Sequence, residues 1–314
     1  MNQKNFFETI KKEIMNFLPS EYEEPKLNVI AKTNTIKNAM IICKKGSNIA
    51  PMIYLDDYFE SFKNGREISS ILKEIAEIIM QSQQENVDVS FLLNLGNVKD
   101  KITPKVINFM WNKEYLSDKP YRFIAEDLVV TYYIKINVSN NIGNNIGNIV
   151  VNERMLQSWN ISKEELHKIA LENLQEQSPA VSSMEEQLKE LVFSDLIKST
   201  NGDKEAAEIM FQEMFQIDFQ EEKGMYVLTN KEKFLGANMI LHSEAMKEIR
   251  EKMGGDFYLI PSSIHEWILV PMETTSMEEL NFMVKDINMS QVHKEEWLSD
   301  HVYILTEKGI KIAA

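Results

Sequence analysis

A single cysteine, Cys43, rules out an internal disulfide and any metal site built from several thiolates. It sits in the apolar run Ala39-Met40-Ile41-Ile42-Cys43 and reads as a buried structural thiol. Glycine is scarce too, at 11 residues. No Gly-x-x-x-x-Gly-Lys phosphate loop and no dinucleotide fingerprint is present, since Gly143 and Gly147 do not lead a strand into a helix. The five histidines include no i, i+4 pair and no His-Glu-x-x-His motif. His242, His265, His293 and His301 would have to converge through the fold, and His167 reads as a surface residue on a capped helix. The expectation is therefore no metal and no cofactor.

Basic charge is also in short supply. Lys and Arg total 34 against 48 Asp and Glu, a formal net charge of −14. No basic run exceeds the pairs Lys11-Lys12 and Lys44-Lys45. A nucleic-acid partner needs a basic face, so none is expected. No apolar run approaches the ~18 residues of a membrane span, and the first 18 residues are too charged for a signal peptide. These absences predict a cytoplasmic chain with a protein or small-molecule partner and no membrane.

What is present is ordinary globular composition, 44% hydrophobic and 26% charged. Residues 2–18 carry Phe6, Phe7, Ile10 and Ile14 at helical spacing, ending near Pro19. Strands are expected at 27–30, 36–43 and 49–54. Leu55, Tyr58, Phe59 and Phe62 predict a short helix closed by Asn64-Gly65. Asp56 and Asp57 in its first turn suit either a hard cation or the helix dipole. A longer helix follows over 67–84, then an expected strand over 87–95 and a strand or short helix over 102–111.

The bend at Leu116-Ser117-Asp118-Lys119-Pro120 suggests a boundary between lobes 1–120 and 121–314. A long β-run covers 128–138. The tandem Asn-Ile-Gly copies at 141–143 and 145–147 read as a hairpin loop, with 149–152 returning. Ser162-Lys163-Glu164-Glu165 is a capping box opening a helix through Leu174. Residues 225–230 predict a strand, Ser243 to Met253 a helix stopped by Gly254-Gly255, 276–288 another helix, and 297–305 a last strand. The fold class expected is α+β, mainly antiparallel strands with helices packed on one side, in two interdependent lobes.

The densest polar stretch is the hairpin 256–271, which places Asp256, Ser262, Ser263, His265 and Glu266 within eleven residues. These are the candidate ligand-binding residues. In a strand, Ser263 and His265 share one face, and Ser262 and Glu266 the other. A serine nucleophile needs a base within hydrogen-bond reach. However, no Gly-x-Ser-x-Gly elbow surrounds either serine. The plainer reading is a tight turn whose hydroxyls bond local backbone. A second candidate is the acidic segment 183–223, broken at Ser199-Thr200-Asn201-Gly202. Its Met210, Phe211, Met214 and Phe215 form an apolar stripe that serves either a core or a partner.

Seven blocks carry a resemblance. They are Tyr54 to Tyr58, Ile102 to Asn108, Glu126 to Val130, Tyr226 to Lys233, Gly254 to Tyr258, Pro261-Ser262-Ser263-Ile264-His265-Glu266, and Leu298-Ser299-Asp300-His301-Val302-Tyr303. Together they resemble an uncharacterised family of clostridial and related bacteria, a domain of unknown function, over nearly the whole chain. The block from Pro261 is its most specific piece. More loosely, the Asp127 strand and the Ser162 helix look like a Bacillus-type uncharacterised family. The resemblance implies an intracellular Firmicutes protein and no activity. It assigns no catalytic residue. The leading expectation is a non-catalytic binding or regulatory protein. The alternatives are a hydrolase-like enzyme using Ser262 or Ser263 with His265, and an adaptor acting through 183–223.

Overall fold

A computed structural model describes residues 1–82, 88–140, 143–214, 224–272, 276–306 and 309–313. For residues 137–140, 143–146, 185, 188, 191, 212 and 213 it describes the backbone. The chain is α+β and forms two compact units, Met1–Asn94 and Leu95–Ala314.

In the first unit, helix α1 (Gln3–Glu13) is capped by Asn2, whose side chain accepts the Asn5 amide at 2.9 Å. Strands β1 (Lys26–Lys32), β2 (Thr35–Ile41) and β3 (Met52–Tyr54) form an antiparallel sheet in that order. Helices α2 (Asp56–Lys63) and α3 (Ile68–Gln81) complete the unit. Its core joins Phe6, Ile10 and Phe59 to Leu72, Ile75 and Ile79. The rings of Phe6 and Phe62 stack at 5.1 Å. Asp56 serves as a hydrogen-bond acceptor. It accepts both the backbone amide and the side-chain amide of Asn38, at 2.7 and 2.8 Å, and so ties α2 to β2. Cys43 is half-buried rather than buried.

The expected strand over 87–95 is instead two 3-10 turns, Ser90–Leu93 and Leu95–Asn97; position 87 lies outside the described residues. Asp88 accepts the Ser90 amide at 2.8 Å, a local bond that competes with strand pairing.

The second unit opens with β4 (Ile102–Asn108), then β5 (Arg122–Phe123), β6 (Leu128–Asn140) and β7 (Gly143–Val150). β4 pairs with β6 from Ile102↔Ile134 to Asn108↔Leu128. That pairing spans the bend at 116–120 and places it inside this unit, which begins at Leu95. Asn108 ends β4 by accepting the amides of Met110 and Trp111, at 2.8 and 3.2 Å. The tip of the β6–β7 hairpin, with part of the Asn-Ile-Gly repeat, lies outside the described residues.

Next come α4 (Glu153–Trp159), α5 (Lys163–Gln175), β8 (Pro179–Ser183), α6 (Met184–Ser199) and α7 (Lys204–Met214). The chain then continues through β9 (Tyr226–Asn230), α8 (Ser243–Met253), β10 (Phe257–Ser263), β11 (Glu266–Pro271), α9 (Met277–Ser290), β12 (Tyr303–Thr306) and β13 (Gly309–Ile312). The Ser162 capping box is formed, and α6 and α9 carry boxes of the same kind. The second sheet runs β13-β12-β10-β11-β9-β8, antiparallel throughout. Leu280 and Val284 of α9 pack on Ile260, Ile268 and Val270. A 3-10 segment, Gly236–Leu241, joins the two sheets of this unit. Within it, Asn238 donates to the Pro104 carbonyl on β4 at 2.9 Å, and the Ala237 carbonyl accepts the Trp267 indole N–H at 2.8 Å.

Candidate functional site

The hairpin 256–271 forms where two apolar runs flank a polar turn in the sequence. Gly254, at φ 78°, ends α8 in the left-handed conformation that glycine takes without strain. β10 and β11 then pair from Phe257↔Pro271 to Ser263↔Glu266, with an irregularity between Pro261 and Ser263. The five polar residues do not converge on one point. Asp256 accepts from Arg250 Nη2 at 2.6 Å. Ser262 donates to Glu266 Oε1 at 3.0 Å across the hairpin. Ser263 accepts the backbone amide of His265 at 3.0 Å, closing the turn. Both serines are buried.

His265 is held by a strained loop. Asn230 grips Phe234 twice, donating to its carbonyl at 2.9 Å and accepting its amide at 3.2 Å. Lys233 and Leu235 both take positive φ, 50° and 53°, which is uncommon for side chains of their size. This conformation aims the Leu235 amide at His265 Nδ1, 2.9 Å away. An accepting Nδ1 places the proton on Nε2 in the neutral ring. Glu296 Oε1 lies 3.6 Å from Nε2. Burial pushes the imidazole below its ordinary pKa, and the Glu296 carboxylate opposes that shift. The Thr229 hydroxyl donates to the His265 carbonyl at 2.8 Å. A Cβ at Gly236 would sit 2.3 Å from that hydroxyl and 2.6 Å from that carbonyl, so only glycine fits beneath His265. Its carboxylate neighbour is thus Glu296, and its contact with Ser263 runs through backbone.

A second polar centre lies where the two sheets of this unit meet. Asp127, just before β6, is buried. Its Oδ2 accepts from Asn108 Nδ2 at 2.8 Å and from Ser299 Oγ at 3.0 Å, and its Oδ1 accepts the Tyr303 hydroxyl at 2.6 Å. The Tyr303 hydroxyl is also 2.6 Å from Ser299 Oγ. His301 Nδ1 stands 3.2 Å from Asp127 Oδ2 and 3.5 Å from Asp300. Asn288 of α9 holds the Ser299 carbonyl at 2.9 Å. A buried carboxylate is tolerated when its lone pairs are filled in this way. Burial, then the Asp127 charge, pushes the Tyr303 phenol well above the usual range, so it stays a donor.

The family of unknown function DUF5688 matches residues 3–306. The chain belongs to that family. No curated protein and no solved structure matches it. In this DUF5688 chain, three of the blocks read from the sequence supply the Asp127 centre: Asn108 ends one, Asp127 lies in the second, and Ser299, His301 and Tyr303 lie in the third. The sequence does carry a signal for it. Ser299, His301 and Tyr303 recur at every second position, as on one face of an extended segment, and two of the three are fully buried.

Of the proposed interaction stripe, Met210 and Met214 are exposed and Phe211 is half-buried; Phe215 lies outside the described residues. Among the described residues, no group of three or more His, Cys, Asp or Glu is placed to hold a metal ion. Among them, too, no helix is long and apolar enough to cross a membrane.

Proposed function

We propose that this DUF5688 protein is a non-catalytic binding or regulatory protein of the bacterial cytoplasm, Firmicutes in origin. One observation carries the reading: the polar groups of the 256–266 stretch are spent on their own chain. His265 Nδ1 accepts the Leu235 amide, and the Ser263 hydroxyl accepts the His265 amide. The Ser262 hydroxyl donates to Glu266. A serine hydrolase needs its hydroxyl proton aimed at a histidine nitrogen. Here the strained loop locks the imidazole in the opposite service, as a support for Leu235.

The cytoplasmic and Firmicutes parts rest on the single cysteine, the acidic balance and the resemblance of the sequence blocks. The net charge of −14 supports a protein or small-molecule partner over a nucleic acid.

The test is a panel of nitrophenyl esters and phosphates assayed with the wild type, Ser262→Ala, Ser263→Ala and His265→Ala. The reading expects no turnover that depends on these residues. Turnover that His265→Ala abolishes, in a variant that still folds by circular dichroism, overturns it in favour of an enzyme.

A further inference from the structure

We propose that the α6–α7 helical hairpin is the docking face for a basic, amphipathic segment of another protein. The proposal rests on the binding reading above and names the partner's chemistry.

The two helices are joined by the turn Thr200–Asp203, where Thr200 bonds back to the carbonyls of Leu196 and Asp203 at 2.9 and 2.8 Å. α6 is anchored at its start, where Gln187 donates to Ser182 at 2.7 Å and Met184 packs on the sheet core. Beyond that anchor, few of the described side chains of the pair are fully buried. Among the described side chains of α6 and α7, Ala207 is the one fully buried apolar residue. Val192, Leu196 and Ile197 stay half-buried, and Met210 and Met214 are 43% and 56% exposed. A helix pair normally hides an apolar stripe of this width.

Between the helices lies a groove of about 410 Å³, lined by Lys189, Glu190, Phe193, Glu208 and Phe211. Its floor is aromatic: the Phe193 and Phe211 rings meet edge to face at 5.4 Å. Such a groove takes aliphatic side chains from a helix laid along it. Nearby methionines add an adaptable apolar margin.

Charge selects the occupant. α6 and α7 carry seven Asp and Glu against three Lys. Glu190 and Glu208 stand on the groove itself. Glu190 also lies 3.6 Å from Lys233, an exposed pair that a partner's cation can replace. A second copy of this chain would bring the same acidic helices and its own charge of −14. An anionic lipid surface would be repelled in the same way. A cationic, amphipathic segment answers both features, with leucine-like anchors on the phenylalanines and lysine or arginine toward the two carboxylates.

The test titrates a labelled peptide of leucine and lysine at helical spacing, about as long as α6, into the full chain and follows fluorescence anisotropy. Two control peptides replace every lysine by glutamate, or every leucine by serine. The expected result is saturable binding of the leucine–lysine peptide and none of either control. Glu190→Lys with Glu208→Lys should weaken it at least about ten-fold without altering the circular dichroism spectrum. Phe193→Ala should weaken it as well, and the charge variant decides the matter if Phe193→Ala fails to fold. Absent binding, binding unchanged by the charge variant, or equal binding of the leucine-free peptide overturns the proposal. So does self-association, or capture on anionic phosphatidylglycerol vesicles, of the wild type that Phe193→Ala abolishes. A failure here leaves the non-catalytic reading to the substrate panel, which tests it separately.

Discussion

The Asp127 centre and the α6–α7 hairpin handle their side chains in opposite ways. Around Asp127, polar groups are buried and each carboxylate oxygen is filled by donors from β4, the 299–303 segment and β12. Along α6 and α7, Met210 and Met214 stay at the surface, and seven Asp and Glu stand against three Lys. The first arrangement adds hydrogen bonds where a low dielectric makes an unpaired group costly. The second leaves apolar area in water that a partner would remove. One region joins the sheets through hydrogen bonds, and the other is the proposed docking face.

The largest expected effect is at Asp127. Asp127→Ala removes the acceptor of Asn108, Ser299 and Tyr303, and should cost about 3–5 kcal/mol of stability. Urea unfolding measures it. A loss below about 1 kcal/mol would mean that the network does not hold the sheets.

Tyr303→Phe removes a donor to the charged carboxylate and leaves the ring, which packs edge to face on Trp267 at 5.7 Å. The expected loss is about 1.5–3 kcal/mol by the same measurement.

A smaller effect belongs to pH. Because burial holds the His265 imidazole below its ordinary value, the unfolded chain takes up the proton first as pH falls below about 6.5. Stability should therefore fall from there down to the folded-state pKa and be fully present above pH 6.5. His265→Gln should flatten that slope, leaving the share of His167, which burial and then Arg122 also hold low. Thermal melts between pH 5 and 8 would show no change in slope if His265 were free to titrate normally.

The smallest effect sharpens the contrast. Met210→Ser with Met214→Ser should change the unfolding free energy by less than about 0.5 kcal/mol per site, since both are exposed. A loss of several kcal/mol would place these methionines in a core.

Local chemistry made part of this legible in the sequence. The Ser162 box, the Gly254 stop and the 257–271 hairpin each depend on residues a few positions apart, and each formed. The Asp127 centre was not legible as a site. Three of its partners lie 172 to 176 positions away, so the period-two pattern of Ser299, His301 and Tyr303 had no visible counterpart. The role of His265 was hidden for a similar reason, because the Leu235 amide that fixes its tautomer is 30 positions upstream. β8 was missed because Pro179-Ala180-Val181-Ser182-Ser183 has loop composition, yet pairs with β9 along its whole length. The 87–95 stretch failed the other way, with strand-like residues captured by a local Asp88 bond.

Hydrogen–deuterium exchange of the full chain, with and without the leucine–lysine peptide, tests the contrast most directly. The account predicts slow exchange in β10, β11 and β12 in both states, and fast exchange in α6 and α7 that the peptide slows. Slow exchange of α6 and α7 in the free protein, or peptide protection that falls on 256–266 instead, would contradict it.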